Sequence, residues 1–202
     1  MDVNAFLSHR RSLATPSGEI AYTELGAGPA ALFVHGVGTS GALWRQVIAE
    51  LSDTSRCIAV DLPAHGASPA RDDMSPAALA EALADLCDGL GLGQVDLVGN
   101  DTGGAIAQIF DARHPDKIRT LTLTNCDCEG NFPPPEFVPV IELARQGALA
   151  EDPEPGWAKD LVETVAAGMA GPVFEARVNP GCRTCPVASC CPVHPDGEQV
   201  TP

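Results

Sequence analysis

Short apolar runs recur along the chain, separated by stretches with helical periodicity. Ile20 to Leu25, half-polar, and Ala30 to Val34, almost wholly apolar, read as strands joined by the turn Gly26-Ala27-Gly28-Pro29. Cys57 to Val60, Val95 to Val98 and Leu121 to Thr124 read as further strands. A strand that is apolar at successive positions has no face to give to water, so it belongs in a parallel sheet covered on both sides. Leu43 to Leu51, Ser75 to Leu90 and Thr102 to His114 carry the helical period that would supply the cover. Ser75 is placed to cap the second of these helices, Pro76 occupies its first turn, and Pro115 stops the third. The fold class is therefore α/β, a mostly parallel sheet flanked by helices.

Beyond Asn125 the strand pattern stops. Glu136 to Ala148 and Trp157 to Met169 read as two further helices, joined by Glu151-Asp152-Pro153-Glu154-Pro155. No period survives after Val178, and the last 25 residues collect Cys182, Cys185, Cys190 and Cys191 among prolines. The expected organisation is a core over 1–130, a helical segment over 131–177 and a disordered Pro/Cys-rich tail over 178–202. Cys57, Cys87, Cys126 and Cys128 lie in apolar segments, where a reduced cysteine acts as a small hydrophobe.

Charge narrows the partners. Lys and Arg total 12 against 27 Asp and Glu, a net charge of −15 that repels phosphate backbones and anionic lipid surfaces alike. Neither nucleic acid nor a membrane is expected as a partner. Met1 to Ser17 lacks the continuous apolar core of a leader, and no stretch is apolar over a membrane-spanning length, so the expected location is cytoplasmic.

The sharpest chemical feature is Val98-Gly99-Asn100-Asp101-Thr102-Gly103-Gly104, between an apolar strand and a helix. It has the form G-x-S-x-G, in which small residues let a nucleophile stand on a strained strand-to-helix turn. Asp101 holds the nucleophile position. A serine there needs a base, whereas an aspartate carries its charge at neutral pH and can displace a good leaving group from saturated carbon. The bland alternative is an aspartate that merely caps the helix Thr102 to His114. Two more stretches follow buried strands: His35-Gly36-Val37-Gly38, with backbone N–H groups available to stabilise negative charge, and Asp61-Leu62-Pro63-Ala64-His65-Gly66-Ala67-Ser68.

In this order the three motifs resemble the α/β-hydrolase superfamily, and within it the haloalkane dehalogenase and epoxide hydrolase branch whose elbow carries Asp. The resemblance implies Asp101 as nucleophile, Val37 and Thr102 as backbone donors, a small apolar substrate, no cofactor, and a helical cap beginning in 131–177. His35 and His65 would then fix loops, and Trp44 would pack its helix on the sheet. The residue after the nucleophile is Thr102, where dehalogenases usually carry Trp, and the only tyrosine, Tyr22, lies far upstream of any cap. Asn125 and Asp127 stand where some relatives keep an acid, and on a period of two they share a face. The family's water-activating His follows later strands, on which turnover depends, and neither it nor a late acid is evident here. His114 closes the elbow helix at its far end. The expectation is a truncated hydrolase whose texture changes near Val178 through a shifted frame or an early stop.

Three other readings stand beside this one. A non-catalytic pseudo-hydrolase would use the pocket only to bind. Cys182, Cys185, Cys190, Cys191 and His194 offer enough ligands for a zinc site. Gly36-Val37-Gly38-Thr39-Ser40-Gly41 formally fits a dinucleotide fingerprint, with Asp61 near the place of a ribose-binding acid.

Overall fold

The computed structural model describes residues 1–126 and 138–146 of the chain. Its strands are β1 (Arg10–Thr15), β2 (Gly18–Leu25), β3 (Ala30–Val34), β4 (Arg56–Asp61), β5 (Val95–Asp101) and β6 (Ile118–Cys126). They form one sheet in the order β1-β2-β4-β3-β5-β6. β2 runs antiparallel to both β1 and β4, while β4, β3, β5 and β6 run parallel. The helices are α1 (Val3–Leu7), α2 (Arg45–Leu51), α3 (Pro76–Gly89), α4 (Thr102–Arg113) and α5 (Val138–Arg145), with a 3₁₀ turn, Gly41–Trp44, leading into α2.

The apolar runs have a simple cause: alternate residues of the same strand serve two different cores. Leu32, Val34, Ile58, Val60 and Leu97 point to the side where α3 and α4 contribute Leu83, Leu86, Ile106 and Phe110. Ala31, Phe33, Cys57 and Ala59 point to the other side and meet Phe6, Trp44 and Ile48. Trp44 packs as expected, its ring centroid 5.4 Å from that of Phe33. Each large side chain so buried contributes about 1.5–3 kcal/mol. The central strands are thereby fixed in register, since a slip of one residue would exchange the two cores.

Three features go beyond the sequence pattern. β1 is a strand although it begins with Arg10-Arg11-Ser12. Its cations are paired, Arg10 with Asp61 at 3.0 Å and Arg11 with Glu24 at 2.9 Å, and Leu13 packs against the core. α1 is only five residues long, capped by Asp2, and buries Phe6. β6 extends well past Leu121 to Thr124 at both ends, with none of its residues fully buried and no strand on its outer side among those described.

The chain divides into two units, Met1–Pro135 and Glu136–Pro202. α5 falls within the helix expected over Glu136 to Ala148. Trp157 to Met169, the boundary at Val178, Asp127, Cys128 and the tail lie outside the described residues. Among the described residues no helix is long and apolar enough to cross a membrane.

Candidate active site

β5 passes into α4 without a loop, and the residue at the junction is Asp101. Its backbone has φ 56° and ψ −133°, a conformation that side chains strongly disfavour and that costs on the order of 1–3 kcal/mol. So sharp a turn brings the helix against the strand, and glycines make the room. A Cβ on Gly99 would stand 2.7 Å from the Gly104 Cα, and one on Gly103 only 2.3 Å from the His35 carbonyl oxygen. At Gly104 it would meet the Cys126 Cβ at 2.1 Å. The glycines of G-N-D-T-G-G are thus each required by a close approach.

Two caps elsewhere in the chain show what an ordinary N-cap looks like here. Asp2 and Ser75 have extended backbones, and their side chains accept from the third N–H of their helices, those of Ala5 and Ala78. Asp101 instead accepts from the first N–H, that of Thr102, in a strained backbone. A helix cap needs no such strain. The Thr102 hydroxyl also donates to the same Asp101 oxygen, Oδ1, at 2.8 Å. The other face of the side chain lies against Gly36, where a Cβ would come within 2.4 Å of the Asp101 Cβ.

The loops around Asp101 are held by buried polar groups. Asp61, 2% exposed, accepts from the Gly41 N–H at 2.8 Å and the Ala67 N–H at 3.0 Å, besides its ion pair with Arg10. The Ser68 hydroxyl donates to the Asp61 carbonyl at 2.6 Å and accepts the Ala21 N–H at 2.8 Å. His35 Nε2 accepts the Leu62 N–H at 3.0 Å, so its proton resides on Nδ1 and is donated to the Gly36 carbonyl at 2.7 Å. His65 Nε2 accepts the Gly38 N–H at 3.2 Å, and its Nδ1 lies 2.9 Å from the Pro63 carbonyl. Both imidazoles fix loops. These engagements weigh against the dinucleotide reading, since the carboxylate proposed for a ribose is buried and fully committed.

Burial pushes the His35 imidazole below its ordinary value of 6.5, with the neighbouring His65 acting in the same direction. The Gly36 hydrogen bond and the charges of Asp61 and Asp101 oppose this shift without cancelling it. The folded state therefore binds fewer protons than the unfolded chain just below pH 6.5, and stability falls as pH falls through that window. We expect the melting temperature to drop as pH falls below 6.5. Melting curves across pH 8 to 5 check this; a flat profile would contradict it.

Of the backbone donors expected from the sequence, the Thr102 N–H is engaged by Asp101 Oδ1. The Val37 N–H has no hydrogen-bond partner among the described residues, and Val37 is 52% exposed. Asn125 lies at the end of β6, close to the elbow, but the register passes from Asn100↔Thr124 to Asp101↔Cys126 and skips it. Its φ of 41° marks a bulge, and Asp127, expected to share its face, lies outside the described residues. Cys126 is half-buried rather than core, with Gln108 Nε2 3.8 Å from its sulfur. His114 pairs with Glu81 at 3.2 Å at the far end of α4.

Arg10, which closes the Asp61 site, was not marked by any motif. A cleft of about 520 Å³ lined by Ser17, Arg71, Ser75, Glu81 and Arg113 opens beside α3, and no elbow residue lines it. It offers no activated nucleophile, and Arg113 is already paired with Glu81. Among the described residues no three His, Cys, Asp or Glu converge to hold a metal, and Cys182, Cys185, Cys190, Cys191 and His194 lie outside them.

The alpha/beta hydrolase fold family model matches residues 29–164. A 2-hydroxymuconate semialdehyde hydrolase of a Pseudomonas species is 38% identical over 103 residues, 48% of this chain and 36% of its own. The structure of a haloalkane dehalogenase from Bradyrhizobium elkani superposes with a TM-score of 0.55 at 32% identity, covering 58% of this chain and 41% of that one. An epoxide hydrolase from an endophytic Streptomyces gives a TM-score of 0.54 at 29% identity, covering 56% and 36%. Among the first curated relatives it matches, the chain spans from 31% to 38% of their length.

Proposed function

The chain belongs to the alpha/beta hydrolase fold family, and from that premise we propose that Asp101 is a nucleophile that takes up a small apolar electrophile, haloalkane-like or epoxide-like, as an alkyl ester. The observation that carries this reading is the strained backbone of Asp101, which a helix cap does not need and a displayed nucleophile does. Oδ1 accepts both donors of Thr102, which leaves the lone pairs of Oδ2 free to attack. A new C–O bond forms from Oδ2 as the carbon–halogen bond breaks and the halide departs with its electron pair. With an epoxide, the ring oxygen takes the pair and then a proton from water. The Val37 N–H would steady the negative charge that develops, as oxyanion donors do elsewhere, whereas the Thr102 N–H, expected from the sequence to act beside it, is already given to Asp101 Oδ1. The resemblance to both a haloalkane dehalogenase and an epoxide hydrolase supports either electrophile.

Hydrolysis of the ester is a separate step that needs a base to activate water. His35 and His65 have both ring nitrogens engaged by the loops, and His114 is tied to Glu81. With none of these three imidazoles available as that base, the ester is expected to accumulate long enough to be detected.

A primary bromoalkane and a terminal epoxide separate the two electrophiles. Intact mass should rise by the alkyl group less one hydrogen with the first, or by the whole epoxide with the second. The reagent that labels identifies the class, and labelling by neither reagent in folded protein would sink the reading.

A further inference from the structure

One peptide unit borders the Asp101 carboxylate, and its two ends face different groups. It consists of the Gly36 carbonyl and the Val37 N–H, and the Gly36 Cα packs on the Asp101 side chain. The carbonyl is held twice: His35 Nδ1 donates to it at 2.7 Å, and the Thr39 hydroxyl donates to it at 2.9 Å. In a trans peptide the C=O and N–H point in opposite directions, so whatever fixes the carbonyl also aims the N–H. The His35 ring is itself fixed, because Leu62 donates to its Nε2 and so sets the proton on Nδ1. Downstream, the Gly38 N–H is taken by His65, which leaves the Val37 N–H as the donor of this loop without a protein partner among the described residues.

We propose that His35 and Thr39 are positioning residues that aim the Val37 N–H at the space beside Asp101, where a departing or developing anion is held. This deepens the nucleophile reading and rests on it for the identity of the anion. Neither residue touches the substrate. Their effect passes through the Gly36 carbonyl, which explains why a hydroxyl at an otherwise exposed loop position turns inward to a backbone acceptor.

Thr39 gives the cleaner test, since His35 is fully buried and also holds Leu62. Thr39→Val removes the hydroxyl at almost constant shape, and Thr39→Ser keeps it. Two quantities are measured on the folded proteins. One is the rate of Asp101 labelling by the reagent that reacts, and the other is the movement of the Val37 amide resonance during titration with bromide. We expect Thr39→Val to slow labelling about tenfold and to weaken the bromide response, with Thr39→Ser restoring both. Labelling of Thr39→Val at the wild-type rate overturns the proposal, as does slowing that serine fails to rescue. A wild-type Val37 amide that ignores bromide overturns it as well. If the wild type is not labelled by either reagent, the nucleophile reading has failed by itself, and the bromide titration alone decides whether the loop aims a donor.

Discussion

Asp61→Ala is expected to remove a large share of the stability of the fold. The Asp61 carboxylate joins three separate parts of the chain: Arg10 of β1, the Gly41 N–H at the start of the 3₁₀ turn, and the Ala67 N–H in the following loop. Gly66 packs so closely that a Cβ there would lie 2.2 Å from Asp61 Oδ2. Removing the side chain orphans the two N–H groups and strips the guanidinium of its partner. Breaking a buried ion pair from one side costs about 3–5 kcal/mol, and each orphaned buried N–H about 1–3 kcal/mol. Arg10 is 27% exposed, so water recovers part of the first cost. Even the lower end is a large share of the about 5–15 kcal/mol that a domain has in total. Urea denaturation measures the loss, and an unchanged midpoint for Asp61→Ala would show that the loop stands without its carboxylate.

Asp101→Asn is expected to abolish covalent labelling while leaving the fold intact. The amide keeps an oxygen that can accept from Thr102, so the elbow and the helix start lose little. Its nucleophilicity is gone, because a neutral amide lacks the negative charge of a carboxylate and delocalises its nitrogen pair into the carbonyl. The two properties therefore separate in this variant: labelling falls below detection while stability changes by no more than about 1 kcal/mol. Asp101→Gly extends the argument. Glycine adopts positive φ freely, so this variant should be no less stable than the wild type although it loses both hydrogen bonds to Thr102. A large loss of stability in Asp101→Gly would mean that Asp101 is held for its capping bonds rather than displayed for attack.

The central strands were legible because both of their faces are buried, which turns Ala30 to Val34 and Cys57 to Val60 into unbroken apolar runs. β1 was not, since it opens on two charged residues, Arg10 and Arg11, whose partners Asp61 and Glu24 sit on other strands. α1 is too short to show a period. At the site, the elbow stood out because Gly99, Gly103 and Gly104 are each forced by a close approach of strand and helix around the turn, and their spacing is visible in sequence. The bulge at Asn125 was invisible, as it arises from how β6 meets the strained end of β5. Thr39 was equally hidden: an exposed threonine in a loop is unremarkable until its hydroxyl is found on the Gly36 carbonyl.

The assignment of Asp101 is tested most directly by locating the label. Cys126 is half-buried, pairs in register with Asp101, and carries a thiol that an alkylating reagent can also attack. Tandem mass spectrometry of peptides from the bromoalkane-treated and epoxide-treated folded protein distinguishes the two. The expected result is an ester on Asp101, removed by mild alkaline hydrolysis and missing from Asp101→Asn. A label confined to Cys126, or one that persists in Asp101→Asn, would contradict the assignment.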